Sequence, residues 1–239
     1  LNFENPEDNS ANAPLVQVLH SLSTSTGYVP VFDSSYSVLV NLPNMTQIVD
    51  GDENTFLMMA NDTTHSPCLL QEPDYTPSFY VDNTQYDVDM VSRYTVNGVT
   101  MRMDTPQHVS YYDVNMATYL MLGEWFDYLR EMGVYDNTRI IIVSDHGADI
   151  NQFDMMNGDC DMEHFIPVLL VKDFGSTGFT VSEEFMTNGD TPAIATAGIF
   201  ENPTNPFTHN PINSDAKNEP LMIFHSTEWN IMVNNGNTF

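Results

Sequence analysis

The 239-residue chain carries 33 Asp plus Glu against 6 Lys plus Arg, a formal net charge of -27, with 41% hydrophobic residues and 11% aromatics. That apolar content suffices for one substantial α/β domain or two small ones and excludes wholesale disorder. The acidic excess excludes nucleic acid as a partner, because such a surface needs cations to displace the counterions of phosphates.

An enzyme of this charge acting on an anionic ester must hold it by local positive charge, and a bound divalent cation is the simplest source. No run reaches the ~20 apolar residues that span a bilayer, and no basic leader opens the chain. The acidic stretch LNFENPEDNSANAP, residues 1–14, reads as a linker or an artificial boundary, and the start at Leu1 leads to the expectation of a missing upstream portion. Cys68 and Cys160 lack the CxxC spacing of a zinc or redox motif. They are one disulfide or two small buried hydrophobes.

From about Leu15 the pattern alternates helix, turn, short apolar strand and polar loop, as in a βαβ chain. A weak helical stripe in YSVLVNLPNMTQIVD is interrupted by Pro43. Then Phe56 to Ala60 reads as a buried strand emptying into a polar loop with Asp62 and His65. After a Pro- and Tyr-rich stretch comes the clearest helix, with Tyr119, Leu122, Phe126 and Leu129 along one face and Gly133 as its C-terminal cap. The run RIIIV that follows reads as a central strand covered on both faces, ending in Ser144, Asp145, His146 and Gly147. Pro167 to Val171 is expected as another strand, and GDTPAIATAGI as a short helix started by Asp190 and Pro192. A last apolar run, LMIF, precedes His225.

Asp145 and His146 stand where an apolar strand gives out, and open α/β sheets bind ligands outside the carboxyl ends of their strands. A hard carboxylate oxygen beside a borderline imidazole nitrogen suits manganese, zinc or magnesium. On spacing alone a second reading stands beside this one: Asp145 caps the next segment and His146 packs under a loop. Two ligands do not complete a site, so others must come from elsewhere. His65 follows another expected strand and would open on the same edge if the two strands run parallel. There it could hydrogen-bond a non-bridging oxygen of a sulfuryl or phosphoryl group, or donate a proton to a leaving alkoxide; alternatively it is a solvated turn residue. His164 precedes its strand and is expected at the opposite edge unless its loop folds back. The carboxylates Asp154, Asp159, Asp161 and Glu163 lack the spacing of an EF-hand and read as a solvated acidic loop.

The run GEWFDYLREMGVYDNTRIIIVSDHG resembles the C-terminal part of sulfatases, where a helix, a glycine, a DNT turn and a strand lead to a metal-binding Asp-His-Gly. FIPVLLV and FMTNGDTPAIATAGI resemble later family elements in the same order, and FLMMANDTTHSP resembles the loop carrying the substrate-facing histidine of the lipoteichoic-acid-synthase branch. The resemblance spans about Phe56 to Ile199 and makes 15–239 the C-terminal part of a sulfatase-like catalytic domain. It implies an alkaline-phosphatase-like α/β/α sandwich with a mainly parallel sheet, incomplete here for want of its N-terminal half. It implies a divalent metal ion, manganese, magnesium, calcium or zinc, on Asp145 and His146, with His65 on a sulfate- or phosphate-ester substrate of a glycan or lipid headgroup.

No C-x-P-x-R occurs in the chain, so the nucleophile is expected upstream of it. By the same resemblance the intact protein is expected outside the cytoplasm, anchored to the membrane through segments absent here. The competing reading is a non-catalytic extracellular domain of the same fold that binds glycans or a protein partner.

Overall fold

The computed structural model describes residues 22, 24, 25, 27, 29–153 and 162–220. The expected linker 1–14, Cys160, Asp154, Asp159, Asp161 and the LMIF run with His225 lie outside the described residues. The chain divides into two compact units, Leu1–Thr138 with His146–Ile166, and Arg139–Asp145 with Pro167–Phe239.

In the first unit, β1 (Thr24–Ser25) pairs antiparallel with β2 (Val81–Asp82). Helix α1 (Pro30–Val40) starts on a proline and buries Phe32, Tyr36 and Leu39 at helical spacing. As the sequence suggested, the stripe breaks near Pro43, and a four-residue turn of helix, α2 (Leu42–Met45), follows. After α3 (Thr84–Asp89), β3 (Thr95–Val96) and β4 (Val99–Thr100) form a hairpin whose turn residues, Asn97 and Gly98, have φ of 52° and 79°. An Asn-Gly pair is what a two-residue turn with positive φ at both positions requires.

Helix α4 (Pro106–Glu131) organises the unit and is about 39 Å long at 1.5 Å per residue. The Thr105 side chain accepts from the His108 amide at 3.2 Å, and Pro106 occupies the first helical position. The helix ends as expected at Gly133, with φ of 72° and the Val134 amide donating back to the Leu129 carbonyl at 3.0 Å. Its buried face shares only Leu129 with the expected one. Val114, Ala117, Met121, Trp125 and Leu129 point inward, while Tyr119 is exposed and Leu122 and Phe126 are half-buried. The phase is fixed by long-range partners: α1 and α2 pack on this helix, and the Trp125 indole donates to the Thr46 hydroxyl at 2.9 Å. A second core joins Leu69, Val81, Tyr94, Met103 and Val109.

Beside that core lies a buried ionic cluster. Arg93 Nη2 reaches Glu72 at 2.7 Å and Asp87 at 2.6 Å, and the guanidinium lies 4.1 Å from the Tyr94 ring centroid. Asp113, fully buried, accepts from the Leu70 amide at 2.9 Å. Burial pushes the Asp87 carboxyl up to about 7, the Arg93 hydrogen bond opposing it and the Glu72 charge adding to it. Burial also holds Asp113 well above the ordinary carboxylate range.

In the second unit, β5 (Ile140–Val143) and β6 (Leu169–Lys172) occupy the two expected strands, and α5 (Thr191–Thr196) the expected helix. The strands pair antiparallel, Ile140 opposite Lys172 and Val143 opposite Leu169. All three sheets among the described residues are two-stranded and antiparallel, so the mainly parallel sheet is not seen among them, and β5 is half-buried rather than covered on both faces. Phe56 to Ala60 is likewise no buried strand: it makes no ladder, with Phe56 79% and Met58 83% exposed. An apolar run becomes a strand only where another strand offers its unpaired amides and carbonyls, and none of the described strands pairs with this one.

Candidate active site

Ser144 and Asp145 leave the β5–β6 ribbon through a second-unit contact: the Asn188 side-chain amide donates to both of their carbonyls, at 3.0 and 2.8 Å. Ser144 stays tied to β6, its amide donating to the Val168 carbonyl at 3.1 Å and its hydroxyl accepting from the Val168 amide at 2.9 Å. This backbone anchoring fixes where the chain departs and leaves the Asp145 residue exposed.

His146 opens the adjoining segment of the first unit and is also exposed. Its Nδ1 lies 2.5 Å from the Gly147 carbonyl oxygen, which can only accept. Nδ1 therefore donates in this contact, the arrangement in which a metal would take Nε2. The ring packed on His146 is that of His164, with centroids 4.6 Å apart and planes 19° from parallel. His164 therefore stands beside His146 within the first unit. Two contacts hold the pair: the Gly147 amide donates to the His164 carbonyl at 2.8 Å, and His164 Nδ1 lies 3.4 Å from Asp149. Gly147 is required here because a Cβ would overlap the Glu163 carbonyl oxygen.

His65 lies in the turn after the exposed 56–60 segment, its amide donating to the Asp62 carbonyl at 3.1 Å, and its side chain is exposed. Cys68, three residues on, is a buried free cysteine. Burial pushes its thiol up to about 12, with the Asp113 charge adding, so it is a small hydrophobe and not a nucleophile. Glu163 is no solvated loop acid: it is buried, and its carboxylate accepts from the Gln152 amide at 2.9 Å and the Phe153 amide at 2.5 Å. Sequence reasoning also passed over His108 and Arg102, which carry no motif and meet this loop only through the fold.

The family model described as Sulfatase matches residues 1–211, a span that includes His65, Asp145 and His146. The chain belongs to the sulfatase family. No curated protein and no solved structure matches it. Members of the sulfatase family share an alkaline-phosphatase-like α/β fold, are generally hydrolases of sulfate or phosphate esters, and generally use a divalent metal. In this sulfatase chain the donor types of Asp145 and His146, and the His146 tautomer, fit such an ion. Among the described residues, however, no group of three or more His, Cys, Asp or Glu gathers closely enough to hold one. The pair is at most part of a ligand set.

Proposed function

We propose that the intact protein hydrolyses or transfers sulfate or phosphate esters, with Asp145 and His146 as two ligands of a divalent cation. The observation that carries this reading is the Sulfatase match over a span that contains Asp-His-Gly directly after β5. Two sequence-adjacent donors need partners from elsewhere, and we assign the remaining ligands and the nucleophile to residues outside these 239. The cation, when bound, supplies the positive charge that a transferring anionic group needs on so acidic a chain.

This chain's own residues then have distinct tasks. Asp145 contributes a carboxylate oxygen, and His146 its Nε2, oriented by the hydrogen bond from Nδ1 to Gly147. His65 hydrogen-bonds a non-bridging oxygen of the ester or returns a proton to the leaving alkoxide. Sulfate and phosphate esters of glycans and of lipid headgroups share this chemistry. By the synthase-branch resemblance of the His65 loop we assign the protein to the outside of the cytoplasm, anchored through segments outside these residues; no helix among the described residues is long and apolar enough to cross a membrane.

The test is turnover of an aryl sulfate and a bis-aryl phosphate by the full-length protein with manganese, magnesium, calcium or zinc. Asp145→Asn and His146→Ala each lower kcat/KM by at least about 100-fold and weaken metal binding, whereas His65→Ala lowers turnover and leaves metal affinity within about twofold. The 239-residue chain alone turns over neither substrate. Metal affinity unmoved by both Asp145→Asn and His146→Ala would sink the reading and favour a non-catalytic domain.

A further inference from the structure

The segment that begins at His146 has little hydrogen-bonded structure of its own. Its described backbone bonds are the one from Gly147 to His164 and one from the Ile150 amide to the Ala148 carbonyl at 3.0 Å. Its shape is set instead by side chains, and the residues just before and at the start of α4 hold one edge of it. His108 Nε2 lies 2.5 Å from the Ile150 carbonyl oxygen, Arg102 Nη1 donates to the Asn151 carbonyl at 2.6 Å, and Gln107 Nε2 donates to the Asp149 carbonyl at 3.4 Å. The Gln152 side chain closes the set in both directions, accepting from the Arg102 amide at 2.5 Å and donating to its carbonyl at 3.3 Å. The other edge is held by Glu163, which takes the Gln152 and Phe153 amides. The far end returns to the site through Asp149, whose carboxylate lies by His164, the ring stacked on His146.

We infer that His108, seconded by Arg102, is a positioning residue for His146: it clasps the 149–152 backbone to the first turn of α4 and so fixes the Asp149–His164–His146 stack. His108 is 4% exposed, and an imidazole is costly to bury unless its polar atoms are used. Its side chain is not needed to finish the helix, because Thr105 already caps it. Nε2 donates to the loop; Nδ1 lies 2.8 Å from the Asp104 carboxylate without the alignment of a hydrogen bond. A carbonyl held by such a ring is held in place, and a misplacement of ~1 Å at a reacting centre is enough to lower a rate 10²-fold.

The inference rests on His146 belonging to the active site, so the experiment reads the clasp in two ways. In the full-length protein, His108→Leu removes the donor, and His108→Gln keeps one that can reach the Ile150 carbonyl. His108→Leu lowers kcat at least about 10-fold with KM within about twofold, and it moves the ring signals of His146 and His164 in histidine-resolved NMR spectra; His108→Gln returns most of both. Arg102→Ala, at a partly exposed side chain, moves the same two ring signals in a protein that keeps its circular dichroism, and it stands in should His108→Leu fail to fold. If the folded variants leave both ring signals where they are, the clasp is refuted. If the ring signals move while neither ester is turned over even by the unmodified protein, the clasp holds and the proposed function is what fails.

Discussion

The two units treat buried carboxylates in opposite ways. In the first, Glu72, Asp87 and Asp113 are buried around a single guanidinium, that of Arg93, and burial raises all three carboxyls above the ordinary range. In the second, the buried Asp190 and the exposed Asp173 each have a cation to themselves. Asp190 is fully buried, but Lys217 at 2.9 Å joins the Asn205 side chain and the Thr187 amide around it, and against the opposing cost of burial these hold its carboxyl below the ordinary range. Asp173 is lowered by Arg139 at 2.8 Å. Burial is the largest influence on the three raised carboxyls, and the hydrogen bonds and cation around Asp190 are enough to outweigh it there. The comparison also bears on finding the site. The raised carboxyls belong to a cluster that ties the 69–94 segment to α4, whereas Asp145 and His146 stand exposed where β5 ends. A search led by shifted carboxyls would have found the scaffold and not the candidate site.

The largest expected effect comes from taking away the shared cation. Arg93→Met leaves Glu72 and Asp87 buried without their cation, a loss of roughly 3–5 kcal/mol, as when one member of a buried pair is removed. Urea unfolding of the 239-residue chain measures it. A loss below about 1 kcal/mol would mean that the carboxyls simply take up protons and that Arg93 is dispensable.

A smaller effect separates the units by pH. In the unfolded chain Asp87 ionises near its ordinary value of 3.8, but in the folded state it keeps its proton up to about 7. Between those limits the native state binds more protons than the unfolded one, so this group's contribution is greatest below about 4 and is lost as pH rises toward 7. Asp190 and Asp173 have the reverse sign: their contribution is present above the ordinary carboxylate range and is lost as pH falls through their lowered values. Asp87→Asn therefore flattens the decline in unfolding free energy between pH 4 and 7, read from urea titrations at four or five pH values. An unchanged slope would show that Glu72 and Asp113 hold the proton instead.

Much of this was legible in the sequence, and what was not has a physical reason. The α4 helix with its Gly133 cap, the Pro43 break, β5, β6 and the α5 helix all announce themselves through periodicity and capping residues a few positions apart. So does the Asp-His-Gly at the end of β5, by its order within the family pattern. The misses are long-range. The apolar face of α4 was read as Tyr119, Leu122, Phe126 and Leu129, of which Leu129 alone is buried, because nothing near Trp125 reveals that Thr46 waits for its indole. Glu72 and Arg93 are 21 residues apart, and Arg102 and Asn151 49. Phe56 to Ala60 has a strand's composition, yet whether such a run enters a sheet depends on a neighbour that composition cannot name.

The smallest expected effect tests whether a private cation is worth much when its carboxylate is exposed. Arg139, just before β5, is largely buried, whereas Asp173 is 55% exposed. Arg139 does more than pair with it: Nη1 lies 3.0, 3.1 and 2.7 Å from the carbonyls of Ile194, Ala195 and Ala197 at the C-terminal end of α5, of which Ile194 also accepts from the Ala197 amide. The guanidinium also lies 4.6 Å from the Phe174 ring centroid. Removing the charge of Asp173 leaves all of those contacts standing, and solvent screens the pair that is lost. Asp173→Asn therefore costs less than about 1 kcal/mol in urea unfolding, while Arg139→Met, which takes the guanidinium from the Ala195 and Ala197 carbonyls, costs about 2–4 kcal/mol. Equal losses for the two variants would make the ion pair, and not the capping of α5, the reason Arg139 is there.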